Sequence, residues 1–206
     1  MHLTNYAINK NNPKFVFNNN SSNMGVGHKR SLTCAFRQLA AKGVDIDKLK
    51  KQINDVTIKT LICGLPLMSH QYRCSQPEDY SGSMCFHILG LDIMLNSKAE
   101  PILLEVNHTP SFATDTPLDY KIKSSLIKDA LTIMNVNVKK KNELYNRSKE
   151  INKERLLTGK RQIYEGKERE QAIAEAQKLR DEYEDNHHGG FERIFPLADE
   201  AEMKRY

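Results

Sequence analysis

The sequence predicts an α+β fold: a small antiparallel sheet accompanied by helices, followed by a charged, largely helical extension. Three observations carry this prediction. Near the centre of the chain two β-rich runs, 85–95 and 102–107, flank a polar turn, as the strands of a hairpin do. On both sides of that hairpin apolar residues recur at helical spacing. From Lys139 to about Asp185 the chain is charged, nearly free of Pro and Gly and only sparsely apolar, which fits a helix with little buried surface. With 206 residues, 39% apolar and 28% charged, the chain can bury one sizeable core. The expected organisation is therefore a domain over residues 1–135 and an appendage over residues 136–206.

Taken in order, Leu3, Asn5 and Ala7, with Thr4, Tyr6 and Ile8 between them, alternate as a short strand does. Residues 9–27 are so rich in Asn, Ser and Gly that they read as a loop. Leu32, Ala35, Phe36 and Leu39 define a helix that Gly43 closes. Asp45 is an acceptable N-cap for a second helix, whose stripe is Ile46, Leu49, Ile53, Val56 and Thr60. Pro66, then Pro77, Gly82 and Ser83, mark an irregular connection to the hairpin. A turn centred on Lys98 and Ala99 sets Asp92 opposite Glu105, and Asn107 shares Glu105's face because it lies two residues on. Leu118, Ile122, Leu126, Ala130 and Met134 form the next helical stripe. His187-His188-Gly189-Gly190 ends the extension, and Phe191, Ile194, Phe195 and Leu197 are apolar enough to dock the tail.

The net charge of +5 is unevenly spread. Residues 1–64 carry ten Lys/Arg against three Asp/Glu, and residues 65–135 carry five against eight. Residues 139–161 then hold nine basic and three acidic side chains, and residues 162–206 seven and twelve. A general nucleic-acid binder shows a stronger basic bias together with aromatic stacking residues, and this chain has no Trp. Local basic faces directed at an acidic partner fit better, although a charge run is equally the solvated face of a helix. The longest nearly uncharged stretch, Thr60–Met68, falls far short of the roughly 20 apolar residues of a membrane helix, so no membrane association is expected. The opening residues lack the pattern of a signal peptide, and cysteines at spacings of 29, 11 and 11 residues make no tight disulfide framework. Reduced thiols in the cytoplasm follow. Of the zinc-like spacings only His70-x3-Cys74 is present, a match too weak to argue a metal site. The three glycosylation-type tripeptides carry no weight without secretion. Cys34 and Cys85 lie in apolar stripes and read as small core residues.

Asp92, Glu105 and Asn107 are the candidate metal set. A hard cation such as Mg²⁺ takes oxygen ligands and keeps waters or phosphates as well, so two carboxylates and an amide oxygen on facing strands suit it. The same spacing also suits two solvated carboxylates on a half-exposed hairpin. Directly opposed like charges repel, however, and a bound cation is a reason for apolar strands to carry them.

Three long motifs occur in order: Met1-His2-Leu3-Thr4-Asn5-Tyr6-Ala7-Ile8-Asn9-Lys10, Cys85-Phe86-His87-Ile88-Leu89-Gly90-Leu91-Asp92-Ile93, and Leu103-Leu104-Glu105-Val106-Asn107-His108-Thr109-Pro110-Ser111-Phe112. They closely resemble the tubulin tyrosine ligase-like family. The wording from Asn107 to Asp115, and the late Gly189-Gly190-Phe191-Glu192-Arg193-Ile194-Phe195-Pro196, is similar to its polyglutamylase branch. The resemblance implies an ATP-grasp fold that binds ATP and Mg²⁺ and joins L-glutamate to glutamate side chains in the acidic tails of tubulin. By position it implies Asp92, Glu105 and Asn107 as Mg²⁺ ligands and Thr4 and Asn5 as ATP contacts. It implies that Tyr6, Ala7, Lys29 and Lys123 line the amino-acid site, and it links His108 to handling a growing glutamate chain. The family's unit begins upstream of the segment that opens this sequence, so the chain resembles the C-terminal half of an ATP-grasp unit. By resemblance, too, a cationic region follows the catalytic core, where residues 139–161 stand.

The implied chemistry is an ATP-dependent carboxylate–amine ligation through an acyl phosphate, with Lys29, Lys123 and His108 positioning substrates and no covalent nucleophile required. Such a protein would be a cytoplasmic monomer on the cytoskeleton, with cilium, axoneme and basal body as its settings. The competing expectation is a non-catalytic tubulin- or microtubule-binding module that retains half of the ligase and its basic segment.

Overall fold

The computed structural model describes residues 6–18, 25–77, 79, 82, 84–135, 142, 145–146, 149–150, 153–154, 156–159, 166–197, 200–204 and 206. Its elements, in chain order, are α1 (Tyr6–Asn9), α2 (Leu32–Ala40), α3 (Ile46–Ser75), β1 (Gly90–Leu95), β2 (Pro101–Asn107), α4 (Pro117–Ile133), α5 (Gly166–His187) and α6 (Glu200–Met203). The class is α+β, as the sequence predicts: helices with one two-stranded antiparallel sheet. The chain forms two compact units. One comprises residues 1–65, 87–126 and 193–206, and the other residues 66–86 and 127–192. Among the described residues no helix is long and apolar enough to cross a membrane.

In the first unit the predicted helix signals are met. Ser31 caps α2 by accepting the Cys34 N–H at 3.2 Å, and Gly43 beyond its end adopts φ +86°, a conformation that costs glycine little. Asp45 caps α3 by accepting the Lys48 N–H at 3.0 Å. Leu49 of the α3 stripe is buried, as are Ile58, which the stripe does not include, and Leu118 at the start of α4, while Ile53, Val56 and Thr60 are half-buried. Two expectations fail here. The expected strand lies outside the described residues at Leu3, Thr4 and Asn5; its remainder falls in Tyr6–Asn9, a single helical turn, where among the described residues no strand is present to pair with it. The turn-forming asparagines continue the bend, with Asn12 N–H donating to the Asn9 carbonyl at 2.9 Å. Cys85 is exposed, since the chain before Gly90 has no partner strand, while Cys34 is half-buried.

The hairpin forms as predicted, but by a different route. Ile93, Met94 and Leu95 pair with Leu103, Ile102 and Pro101, a register centred on Lys98 alone. Between Asp92 and Ile93 the register slips by one, so Leu104 has no partner, and beyond this bulge Asp92 pairs with Glu105 and Gly90 with Asn107. Gly90 ends the ladder where the chain bends at Pro110. A Cβ on Gly90 would stand 3.2 Å from that of Pro110, so glycine admits the bend.

In the second unit Pro66 lies inside α3 and does not start a connection. One proline removes one backbone hydrogen bond, and the helix resumes because 67–75 contain neither Pro nor Gly. Tyr72 anchors the resumed turns: its hydroxyl donates to the Asp79 carboxylate and accepts the Met84 N–H at 3.1 Å. Burial, aided by the Asp79 hydrogen bond, pushes the Tyr72 hydroxyl up to about 12. In α4 Ala130 is buried. The α5 helix is mostly exposed, as expected of its composition, and its Tyr183 hydroxyl donates to the Thr132 carbonyl at 3.1 Å. After α5, Gly189 at φ +58° lets Gly190 N–H donate to Asp129 at 3.0 Å. A Cβ on Gly189 would collide with the Asp129 carboxylate at 2.5 Å.

The tail is partly docked. Phe191, Ile194 and Leu197 are half-buried, Phe195 is more exposed, and in the first unit Tyr206 donates its hydroxyl to Asp55 at 2.7 Å. Lys139, Lys140 and Lys141, the start of the basic segment, lie outside the described residues, as do Thr4 and Asn5.

Candidate functional site

The hairpin brings together the three side chains proposed as metal ligands. Asp92 and Glu105 are cross-strand partners, and Asn107, on Glu105's face, donates its amide N–H to the Glu105 carboxylate at 3.1 Å. That bond leaves the Asn107 amide oxygen to serve as a third hard donor. The Asp92 carboxyl lies above the ordinary carboxylate range, through desolvation first and then through its hydrogen bond to Glu105 and that neighbour's charge. Two opposed carboxylates with an amide oxygen on the same face are a donor set suited to a hard cation. The residues therefore fit a divalent hard cation, with Asp92, Glu105 and Asn107 able to hold it. Among the described residues no three His, Cys, Asp or Glu side chains gather at one place; on the hairpin the third donor is an amide. His70 and Cys74 lie one turn apart on α3, 3.7 Å from Nε2 to Sγ, and both are exposed.

Past the end of β2 the His87 ring Nε2 meets the His108 carbonyl at 2.6 Å. Nε2 must carry a proton for this contact, which tacks the backbone directly after Asn107 to the strand that bears Asp92. His108 itself is exposed.

The second group forms at the start of α4. Thr116 and Asp119 make a capping box. The Thr116 hydroxyl accepts the Asp119 N–H at 3.2 Å and donates to Asp119 Oδ2 at 2.9 Å. Asp119 is buried, yet its other oxygen pairs with Lys29 Nζ at 2.6 Å. Burial alone would raise the Asp119 carboxyl. The Lys29 and Thr116 hydrogen bonds and the charges of Lys29 and Lys123 outweigh that, and the carboxyl lies below its usual range. Lys123, one turn further along α4, donates to the Ala113 carbonyl. Lys29 thus reaches the buried carboxylate directly, while Lys123 is held at the Ala113 carbonyl, near enough for its charge to be felt there. Sequence reasoning did not single out Asp119, although Thr116-x-x-Asp119 before an apolar run was a legible capping signal. Tyr6 and Ala7 lie in the turn of α1.

The two shifted carboxyls affect stability with opposite sign. Asp119, lowered on folding, contributes stability above about pH 4 that is lost as pH falls through its folded value. Asp92, raised on folding, favours the fold most below about pH 4, and that contribution is lost as pH rises through its folded value. We therefore expect Asp92→Asn to match the parent near pH 4 and to be more stable at pH 7 by at most about 1 kcal/mol, because the pair is exposed. Melting temperatures across that range in the presence of a chelator check this, and a variant less stable than the parent at pH 7 contradicts it.

Residues 1–144 match the tubulin-tyrosine ligase family. The chain is 54% identical over 202 residues to a probable beta-tubulin polyglutamylase of Tetrahymena thermophila, covering 98% of this chain and 17% of that protein. It is 39% identical to the tubulin polyglutamylase ttll6 of Danio rerio, over 100% of this chain and 26% of the relative. It is likewise 39% identical to the tubulin polyglutamylase TTLL13 of Homo sapiens, over 100% of this chain and 25% of the relative. The chain thus spans between a sixth and about a quarter of the length of these relatives. Helices with a small antiparallel sheet are consistent with part of an ATP-grasp-like domain of that kind, and the match over most of its length means that this chain belongs to the tubulin-tyrosine ligase family.

Proposed function

We propose that the protein containing this chain is a tubulin polyglutamylase, an ATP-dependent ligase that joins L-glutamate to glutamate side chains in the acidic C-terminal tails of tubulin. The observation that supports this most directly is the cross-strand pairing of Asp92 with Glu105, with Asn107 on the same face, in a family member whose named relatives are polyglutamylases. In this reading residues 1–135 are the ligase part and residues 136–206 an extension facing tubulin. The protein acts as a monomer on the cytoskeleton, at the cilium, axoneme or basal body.

Asp92, Glu105 and Asn107 would hold Mg²⁺, which, bound with ATP, supplies charge neutralisation for phosphoryl transfer. Thr4 and Asn5 contact the nucleotide, and Tyr6 and Ala7 border the amino acid. Lys29 and Lys123 hold its carboxylate and so align its amine, an entropic contribution. His108 stands beside the growing glutamate chain, its backbone fastened by His87.

Incubating the full-length protein with tubulin, labelled L-glutamate and Mg·ATP tests the reading. The expected result is label on tubulin that removal of the C-terminal tails by protease abolishes. Tubulin that stays unlabelled while the protein remains folded overturns it.

A further inference from the structure

The geometry points to Asp119 as the positioning residue of the amino-acid site, the buried anion that fixes the Lys29 ammonium for a substrate carboxylate. The inference deepens the proposed function and rests on it. Lys29 lies in the loop before α2 and Asp119 in the first turn of α4, 90 positions apart in sequence. Asp119 is 4% exposed, accepts the Thr116 hydroxyl on one oxygen and meets Lys29 at 2.6 Å with the other, and it feels the charge of Lys123. Its backbone is fixed in turn, because its N–H closes the capping box. The carboxylate cannot follow a moving lysine; the lysine must come to it. Lys29 is more open, its side chain 37% exposed, so the ammonium is anchored by a partner far more buried than itself. The same loop is braced before Lys29: the Val16 N–H donates to His28 Nδ1 at 3.0 Å, and Gly27, at φ +80°, lies against the Val16 carbonyl, where a Cβ would come within 2.7 Å. Without Asp119 the Lys29 ammonium would lose the fixed, buried partner that sets its position.

The test is L-glutamate binding to the full-length protein loaded with Mg²⁺ and a non-hydrolysable ATP analogue, followed by calorimetry. Asp119→Asn keeps the oxygen that Thr116 meets and removes the charge, and it is expected to raise the glutamate dissociation constant at least about tenfold while nucleotide affinity stays within about twofold. Lys29→Met should do the same, and the double variant should bind no worse than Lys29→Met alone, because Asp119 acts through Lys29. Asp119→Glu, which keeps the charge and shifts it by one methylene, should fall between parent and Asp119→Asn. Single-variant effects that multiply in the double variant, an equal loss of nucleotide and glutamate binding, or glutamate affinity unchanged in both Asp119 variants overturns the inference. A parent protein that binds no glutamate overturns it as well. A parent that binds glutamate but attaches none to tubulin overturns the proposed function and leaves this inference standing.

Discussion

Glu105→Gln in the full-length protein is expected to lose ligation activity by at least about a hundredfold, with no loss of thermal stability. The substitution is nearly isosteric, so the strand pairing and the hydrogen bond from Asn107 can persist on the remaining oxygen. It removes one of the two opposed negative charges, and with it the repulsion that adds to desolvation in raising the Asp92 carboxyl. Stability should therefore hold or rise while catalysis fails. A dead enzyme that has unfolded would look different, because its melting temperature would fall. Near-normal turnover at saturating Mg²⁺, with melting unchanged, would remove Glu105 from the metal set.

The second large effect concerns docking and not chemistry. Residues 139–161 carry nine cations against three anions, and an acidic tubulin tail should feel them over about a Debye length, roughly 8 Å at physiological salt. Replacing Lys139, Lys140 and Lys141 together by Glu changes the local charge by six units and is expected to reduce microtubule cosedimentation at least about tenfold. Raising the salt, or removing the tubulin tails, should reproduce the loss in the parent. Asp92→Asn should bind as the parent does, since in the proposed function the hairpin carboxylates hold a cation and take no part in docking. A triple variant that pellets with tailed microtubules as well as the parent would reduce the segment to a solvated helix face.

How far the fold was legible depended on whether a signal was local. The cap at Asp45, the break at Gly43 and the polar turn between β1 and β2 are decided within four residues of sequence, and each stands as read; the Ser31 cap, equally local, was not read. Tyr6–Asn9 failed because alternation specifies a strand only when another strand is there to pair with it. Pro66 failed for the opposite reason: a strong local breaker was overridden by helix-forming neighbours and by the anchoring of Tyr72 at Asp79. On α4, Ile122 belongs to the apolar stripe by spacing yet is 44% exposed, while Asp119 is 4% exposed. Burial there follows a tertiary partner, Lys29, which no period within α4 encodes. The Asp92 to Glu105 pairing was read correctly from a turn centre half a residue away from the real one, and the unpaired Leu104 makes up the difference.

That bulge separates two properties of the hairpin that are easily taken for one. Which residue faces Asp92 is a matter of counting, and a ladder lacking Leu104 would still set Asp92 across from Glu105. Where the two carboxylates point is a matter of twist, and an extra residue on one strand increases the local right-handed coil and swings its neighbours relative to the rest of the sheet. The turn at 96–100 therefore governs the hinge end of the hairpin and Leu104 the aim of its working end, so the loop is free to vary in sequence without redirecting the carboxylates. Shortening the strand at Leu104 would leave the partners matched and turn them both away from their target.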